Sequence, residues 1–224
     1  NVVLMSFGPL TALGVYSAGA RWCSTRAGIY AAAIFVTTPW TYRISTIAYA
    51  EGGLSFYLFA TLFAVMIAAE RLQAADDERS LWRWCLVAGL CAGSAMACKY
   101  PGVLSVVIPL GVVSVCLPFQ RNGERAAQTR TALRFGAAFA LGTAVTIGPW
   151  LLKNTAETGN PVYPLVYSVF GGKDWDAELN AKWKNGHSPK THSLLDLAEK
   201  LKDVTVKSDW LRPLLFGVAP LAFL

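Results

Sequence analysis

The chain has 224 residues, of which 54% are apolar and 15% are charged, and its formal net charge is +6. Soluble domains carry roughly 45–50% apolar and about 25% charged residues, so the composition excludes an ordinary soluble domain and indicates a membrane protein. Excess Lys and Arg are typical of cytoplasmic loops between spans. No basic stretch alternates with aromatic side chains, so we expect no nucleic-acid partner.

Long charge-free stretches predict membrane spans, because a helix needs roughly 20 mostly apolar residues to cross the hydrocarbon core. The predicted spans, in chain order, are Val2–Ala18, Gly28 to about Ala48, Gly53–Ala69, Trp84–Ala97, Val103–Leu117, Phe135–Leu152 and a last one that begins near Leu214. The second predicted span contains Pro39 and, before its end, the charged residue Arg43. Both features predict a short or kinked helix. The chain begins without Met and ends in an apolar run, so we expect the middle part of a longer protein.

The distribution of Lys and Arg predicts the orientation. The first, third and fifth loops carry most of the cations: Arg21, Arg26, Arg71, Arg79, Arg83, Arg121, Arg125, Arg130 and Arg134. The second and fourth loops carry Arg43 and Lys99 alone. We therefore expect the odd loops to be cytoplasmic and the even ones to face outward.

The sixth connection is the one long loop. We predict three regions: residues 1–152 as a transmembrane helical region of about six spans, 153–212 as an extracytoplasmic loop, and 213–224 as the start of a further span. Within the loop, Ser193–Asp196 resembles a capping box, and Leu194, Leu197 and Leu201 recur at helical spacing. The predicted fold is an all-α polytopic bundle with one large outer loop that contains a short amphipathic helix. That helix lies either on the membrane surface or on the rest of the loop.

Charges at the outward helix ends are the candidate functional groups. Glu51 precedes two glycines, an open setting that suits a metal, a sugar hydroxyl or an amine. Arg43, Lys99 and Lys153, the last followed by Asn154, could form a cationic rim for a lipid phosphate, since Lys and Arg stabilise phosphate oxygens. The alternative interpretation is a solvated helix end for Glu51 and interfacial anchors for the cations.

No metal site is predicted. His187 and His192 lie five residues apart in a polar loop, without a Cys or Asp pair at ligand spacing. The five cysteines form no CxxC pair and suit packing in apolar helices.

Three stretches carry a resemblance to a known class. Gly148–Asn154 reads GPWLLKN and is followed by Thr158–Pro164, which reads TGNPVYP. Ala50–Leu54 reads AEGGL, and Gly89–Gly93 (GLCAG) leads to Lys99–Gly102 (KYPG). The chain resembles, over roughly residues 30–176, bacterial polyprenyl-phosphate-dependent glycosyltransferases of the GT-C class, which include dolichyl-phosphate-mannose protein mannosyltransferase-like membrane proteins.

The resemblance implies that a sugar moves from a polyprenyl-phosphate donor to an extracytoplasmic lipid, glycan or protein acceptor, in the bacterial inner membrane. An Asp in the first outer loop is the general base in such enzymes, sometimes beside a second acid or a divalent metal. That loop precedes the matched region, so we expect the catalytic base upstream of this chain, with Glu51 as the second-loop acid. The implied donor-phosphate ligands are Arg43, Lys99 and Lys153, and the implied loop-mouth residues are Asn154, Asn160 and Tyr163.

Two other functions remain open from the residues alone. A membrane transporter or lipid flippase would show charged groups at mid-membrane and broken helices in paired halves. The predicted spans have no charged residue at their centres, which counts against a transporter or flippase. A non-catalytic membrane scaffold whose outer loop binds a partner is the other alternative.

Overall fold

The computed structural model of the protein describes residues 2–47, 49–74, 78–188 and 193–209. The regular elements in these ranges are all helical, which confirms the predicted all-α class. They are α1 (Val2–Trp22), α2 (Thr25–Thr37), α3 (Pro39–Thr46), α4 (Glu51–Gln73), α5 (Glu78–Cys98), α6 (Ile108–Cys116), α7 (Arg125–Thr158), α8 (Tyr167–Phe170), α9 (Ala177–His187) and α10 (Leu194–Lys202). A π-helical turn, Val103–Val107, leads into α6, and a 3-10 turn, Leu117–Gln120, follows it.

Five helical units in the described ranges are long and apolar enough to cross a membrane. They are α1, α4, α5 from Ser80 to Cys98, the continuous unit Val103–Gln120 that contains α6, and α7. The chain is therefore a multi-pass integral membrane protein, as predicted. The last predicted span, which begins near Leu214, lies outside the described residues.

The predicted second span is two helices, α2 and α3, that break at Thr38. The proline ring of Pro39 disfavours helical backbone at the residue before it, and Thr38 is extended, with φ −67° and ψ 121°. The α2–α3 pair nevertheless runs along the whole of α1. A Cβ on Gly19 would lie 2.6 Å from the Gly28 Cα at one end, and Gly8 packs on the Ser45 side chain at the other. The two short helices together cover the same distance along the bundle as α1 does.

Several helices extend beyond the predicted span limits. The largest difference is at α7, which has 34 residues and passes both predicted boundaries, at Phe135 and Leu152. At 1.5 Å per residue it is about 51 Å long, well beyond the roughly 30 Å hydrocarbon core. Charge marks where a helix leaves the hydrocarbon, whereas the backbone hydrogen bonds that define the helix continue into the polar region.

The centre of the bundle is α5, which packs between α4 and α7. Small residues let the α5 and α7 backbones approach closely: a Cβ on Gly89 or on Gly142 would collide with a carbonyl oxygen of the other helix. Thr143 Oγ1 also donates to Gly89 O at 3.2 Å across this seam. The GxxxG motif at Gly89–Gly93 thus serves packing within one chain.

Side-chain contacts tie the helices together at both ends of the bundle. At one end, Arg21 on α1 makes two hydrogen bonds to Glu70 on α4, at 2.9 and 3.0 Å. At the other end, Glu51 on α4 meets Lys99, which follows α5. The distribution of Lys and Arg predicts that the Arg21–Glu70 end is cytoplasmic. We call the Glu51 end the outer end.

Candidate functional site

The outer end brings together five side chains from α4, α7 and the turn after α5, here named the outer polar cluster: Glu51, Lys99, Tyr100, Trp150 and Asn154. Lys99 Nζ donates to Glu51 Oε1 at 2.6 Å, which joins the start of α4 to the end of α5. Both side chains are reachable from solvent, with 34% of Glu51 and 51% of Lys99 exposed. An ammonium has three donors, and this contact uses one of them.

The Tyr100 hydroxyl links the turn after α5 to α7. It accepts a hydrogen bond from Trp150 Nε1 at 3.1 Å and one from Asn154 Nδ2 at 2.8 Å. A phenolic hydroxyl has two acceptor positions and one proton. Both acceptor positions are used, and no acceptor for the proton lies among the residues that the structure describes.

Asn160 organises the loop that follows α7. Its side chain is fully buried, and Nδ2 donates to the carbonyls of Leu165 and Gly171, both at 2.9 Å. Oδ1 accepts from Val162 N at 2.9 Å. Gly159 ends α7 with φ +76°, a conformation that glycine adopts without strain. One amide thus holds three separate stretches of the loop together.

The loop is joined to the outer polar cluster through Asn154. This side chain is 7% exposed, and Nδ2 donates to Pro161 O at 3.2 Å as well as to Tyr100. The predicted loop-mouth residue Tyr163 packs edge-on against Trp175, with ring centroids 6.0 Å apart. Trp175 Nε1 is buried, and no acceptor for it occurs within the described part of the chain.

Lys153 and Arg43 also lie at the outer end, each beside a tryptophan ring of its own helix. Lys153 Nζ contacts Glu157 at 3.0 Å along its own helix and lies 5.0 Å from the centre of the Trp150 ring. The Arg43 guanidinium lies 5.8 Å from the centre of the Trp40 ring on α3. Two cations of the predicted rim, Lys99 and Lys153, are therefore each paired with a carboxylate.

The outer polar cluster contains two residues that the sequence interpretation did not assign to the site, Tyr100 and Trp150. Trp150 and Asn154 are four residues apart on α7 and thus share one helix face. The four-residue spacing of Trp150 and Asn154, together with the tyrosine in the turn after α5, is the sequence signal that could have indicated Tyr100 and Trp150. Within residues 2–47, 49–74, 78–188 and 193–209, no three His, Cys, Asp or Glu side chains are grouped to hold a metal.

The His187 side chain is stacked on Trp183, with ring centroids 4.4 Å apart. Its Nδ1 lies 2.8 Å from Trp183 O. His192, the second histidine of the loop, lies outside the described residues. The structure thus gives His187 an aromatic and a backbone neighbour on its own helix.

Comparison with known proteins identifies the family. No curated protein and no solved structure matches the chain. Residues 4–158, however, match the dolichyl-phosphate-mannose-protein mannosyltransferase family. This range begins in α1 and ends at the last residue of α7, so it contains the whole bundle and every member of the outer polar cluster. The chain belongs to the dolichyl-phosphate-mannose-protein mannosyltransferase family, whose members are membrane glycosyltransferases that use polyprenyl-phosphate-linked sugars.

Proposed function

We propose that the chain is part of a glycosyltransferase of the bacterial inner membrane that moves a sugar from a polyprenyl phosphate to an extracytoplasmic acceptor. The observation that carries the proposal is the outer polar cluster. It gathers a carboxylate, an ammonium and a tyrosine hydroxyl at the outer ends of α4, α5 and α7, in a chain that matches this family over the same helices.

The position of the cluster suits a lipid-linked donor. A polyprenyl chain lies in the hydrocarbon, so its phosphate lies at the membrane surface, at the level of the helix ends. Lys99 and the Tyr100 proton are the donors that the cluster can offer to phosphate oxygens. In the transfer step, the oxygen of an acceptor hydroxyl bonds to the anomeric carbon while the bond from that carbon to the phosphate oxygen breaks, and the hydroxyl proton passes to a carboxylate base, for which Glu51 is the candidate in this chain. Lys99 would stabilise the negative charge that develops on the departing phosphate.

The Glu51–Lys99 pair is suited to exchange partners when a donor binds. Exposed ion pairs contribute only about 0–1 kcal/mol to stability, so a phosphate can replace Glu51 at Lys99 at little cost. The released Glu51 carboxylate can then accept a hydrogen bond from a hydroxyl of the sugar or of the acceptor. Glu51 is the catalytic candidate of this chain, and Arg43 and Lys153 are secondary candidates for binding the donor phosphate.

The loop that Asn160 organises is the candidate acceptor side of the site. Asn154 hydrogen-bonds both Tyr100 and Pro161, so the loop begins directly at the proposed phosphate position. Tyr163 and Trp175 offer aromatic faces next to it. Together these residues would guide the acceptor, and we assign no acceptor identity beyond an extracytoplasmic lipid, glycan or protein.

The test compares two matched ion pairs in the full-length protein. Glu51→Gln removes the carboxylate at the outer end, and Glu70→Gln removes the corresponding carboxylate of the Arg21–Glu70 pair at the other end. Sugar transfer from a polyprenyl-phosphate sugar is measured in membranes with equal protein levels. We expect Glu51→Gln to lower the transfer rate by at least about tenfold, or roughly 1.4 kcal/mol, and Glu70→Gln to leave it near the wild-type rate. Equal rates in both variants would exclude a functional role for Glu51.

A further inference from the structure

One face of α10 is apolar and uncovered. The helix begins at the N-cap Ser193, whose Oγ accepts from Leu195 N at 3.3 Å, and it continues into a π-helical turn at Asp203–Lys207. Leu194 and Leu195 are each 82% exposed, Leu197 is 64% exposed and Leu201 is 63% exposed. Leaving four leucines in water is costly, because fully burying one leucine side chain is worth about 1.5–3 kcal/mol.

The charged side chains of α10 are sorted by sign around the helix. At about 100° per residue, Lys200 and Lys202 lie about 90–110° from the centre of the apolar face, one on each side. The acidic residues lie about 150–170° from that centre, on the opposite face. They are Asp196, Glu199 and Asp203. The lysines thus border Leu194, Leu197 and Leu201, and Leu195 lies about 20° from Lys202 around the helix. The carboxylates lie on the opposite face, where Asp196 Oδ2 contacts Lys200 Nζ at 2.9 Å.

This arrangement is complementary to a lipid surface. A lysine at the border can lay its methylene stem along the apolar surface and place its ammonium beside a lipid phosphate. Carboxylates at the centre of the polar face then remain in water, away from the anionic headgroups. A helix that lies in the interface plane buries its apolar face about 5–10 Å into the boundary between headgroups and acyl chains.

The place of α10 in the chain also favours the bilayer. The helix follows the last membrane-spanning helix, α7, and soon after it the sequence enters the apolar stretch Leu214–Leu224. The sequence predicts this stretch to begin a further span, and a segment between two spans is tethered close to the membrane at both ends. The bilayer that holds the bundle is therefore the nearest large apolar surface.

We propose that α10 lies in the outer lipid surface of the bilayer that holds the bundle, with its leucines among the acyl chains and Lys200 and Lys202 beside lipid phosphates. The helix anchors the long loop to the membrane. This proposal depends on membrane insertion of the chain and is independent of the transferase activity.

The test places a fluorescent amino acid at single positions of α10 in the full-length protein, by codon reassignment. Leu197 and Leu201 report the apolar face, and Glu199 is the matched position on the polar face. The protein is reconstituted in nanodiscs of phosphatidylethanolamine and phosphatidylglycerol. Fluorescence is quenched either by lipid-borne nitroxides or by aqueous iodide. We expect nitroxide to quench the probes at Leu197 and Leu201 several-fold more than the probe at Glu199, and iodide to show the reverse order.

Two results would overturn the proposal. Protection of the Leu197 probe from both quenchers would mean that the leucines pack against protein. Equal iodide quenching at Leu197 and Glu199 would mean that the helix lies free in water. A charge reversal, Lys200→Glu with Lys202→Glu, tests the lysines separately and should reduce nitroxide quenching at Leu197. The matched reversal on α9, Lys182→Glu with Lys184→Glu, should leave it unchanged; the same response from both reversals would contradict the assigned role of the α10 lysines.

Discussion

Lys99 Nζ lies 2.6 Å from Glu51 Oε1, although 48 residues separate the two in the chain. The contact places the first residue of α4 beside the residue that follows α5, at the outer end of the bundle. Because the pair is exposed, it contributes little to stability. We propose that the pair serves binding, because it keeps a cation and a carboxylate together at the level where a lipid-linked phosphate would lie.

Replacing Tyr100 by Phe should impair the outer polar cluster. The change removes the acceptor of the exposed Trp150 Nε1 and one of the two acceptors of the buried Asn154 Nδ2. Each lost hydrogen bond contributes about 0.5–1.5 kcal/mol. We expect a lower thermal unfolding temperature in detergent and slower sugar transfer. Tyr49→Phe, at an exposed tyrosine near the same end, is the control and should change neither. Wild-type stability and rate for Tyr100→Phe would show that the hydroxyl is dispensable.

Asn160→Ala should open the loop after α7 while the bundle stays folded. The substitution removes three hydrogen bonds that connect separate stretches of the loop, and it leaves the half-buried carbonyls of Leu165 and Gly171 without this donor. Limited proteolysis should cut the variant faster within residues 158–176 than it cuts the wild type. Asn185→Ala, on the exposed side of α9, should be cut at the wild-type rate. Unchanged cleavage in Asn160→Ala would contradict this role.

Gly142→Ala should destabilise the bundle more than Gly148→Ala does, although both lie on α7. A methyl group at Gly142 would collide with backbone atoms of α5, whereas nothing lies within 4 Å of a Cβ at Gly148. Overpacking typically costs about 1–3 kcal/mol. The measurement is the midpoint of thermal unfolding in detergent. Equal unfolding temperatures for the two variants would contradict the close approach of the α5 and α7 backbones.

The orientation predicts the labelling of two engineered cysteines. In intact cells a membrane-impermeant maleimide should label Glu178→Cys, on α9, above the background of the parent chain. Gly123→Cys, in the turn before α7, should react only after the cells are permeabilised, because the Lys and Arg count places that turn in the cytoplasm. Both substituted positions are exposed, so accessibility within the protein does not limit the reaction. The opposite pattern would reverse the orientation and remove the geometric basis of the proposed function.

Most of the fold could be predicted because hydrocarbon imposes simple rules on sequence. Long charge-free stretches predicted where helices cross, and Pro39 predicted the disruption of the second span. Helix ends could not be predicted in the same way. The helices α4, α5 and α7 continue past the last apolar residues, because polar residues outside the hydrocarbon can still complete backbone hydrogen bonds.

The candidate site was predicted less completely than the fold. Position at the outer helix ends indicated Glu51, Lys99 and Asn154, and the structure joins these residues directly or through Tyr100. Their pairing depends on how α4, α5 and α7 pack, which residue types and local spacing do not encode. The same limit applies to the contact of Lys153 with Glu157 on its own helix, which the sequence interpretation did not include.

The central claim is that Glu51 and Lys99 act on the lipid-linked donor and do more than connect two helices, and a charge exchange tests it most directly. The double variant Glu51→Lys with Lys99→Glu keeps an ion pair at the same place but reverses its polarity. Sugar transfer and thermal stability are measured for the double variant and for both single variants in the full-length protein. We expect wild-type stability in the double variant, with transfer as low as in the single variants. Recovery of wild-type transfer by the double variant would show that the pair is structural, and would contradict the account.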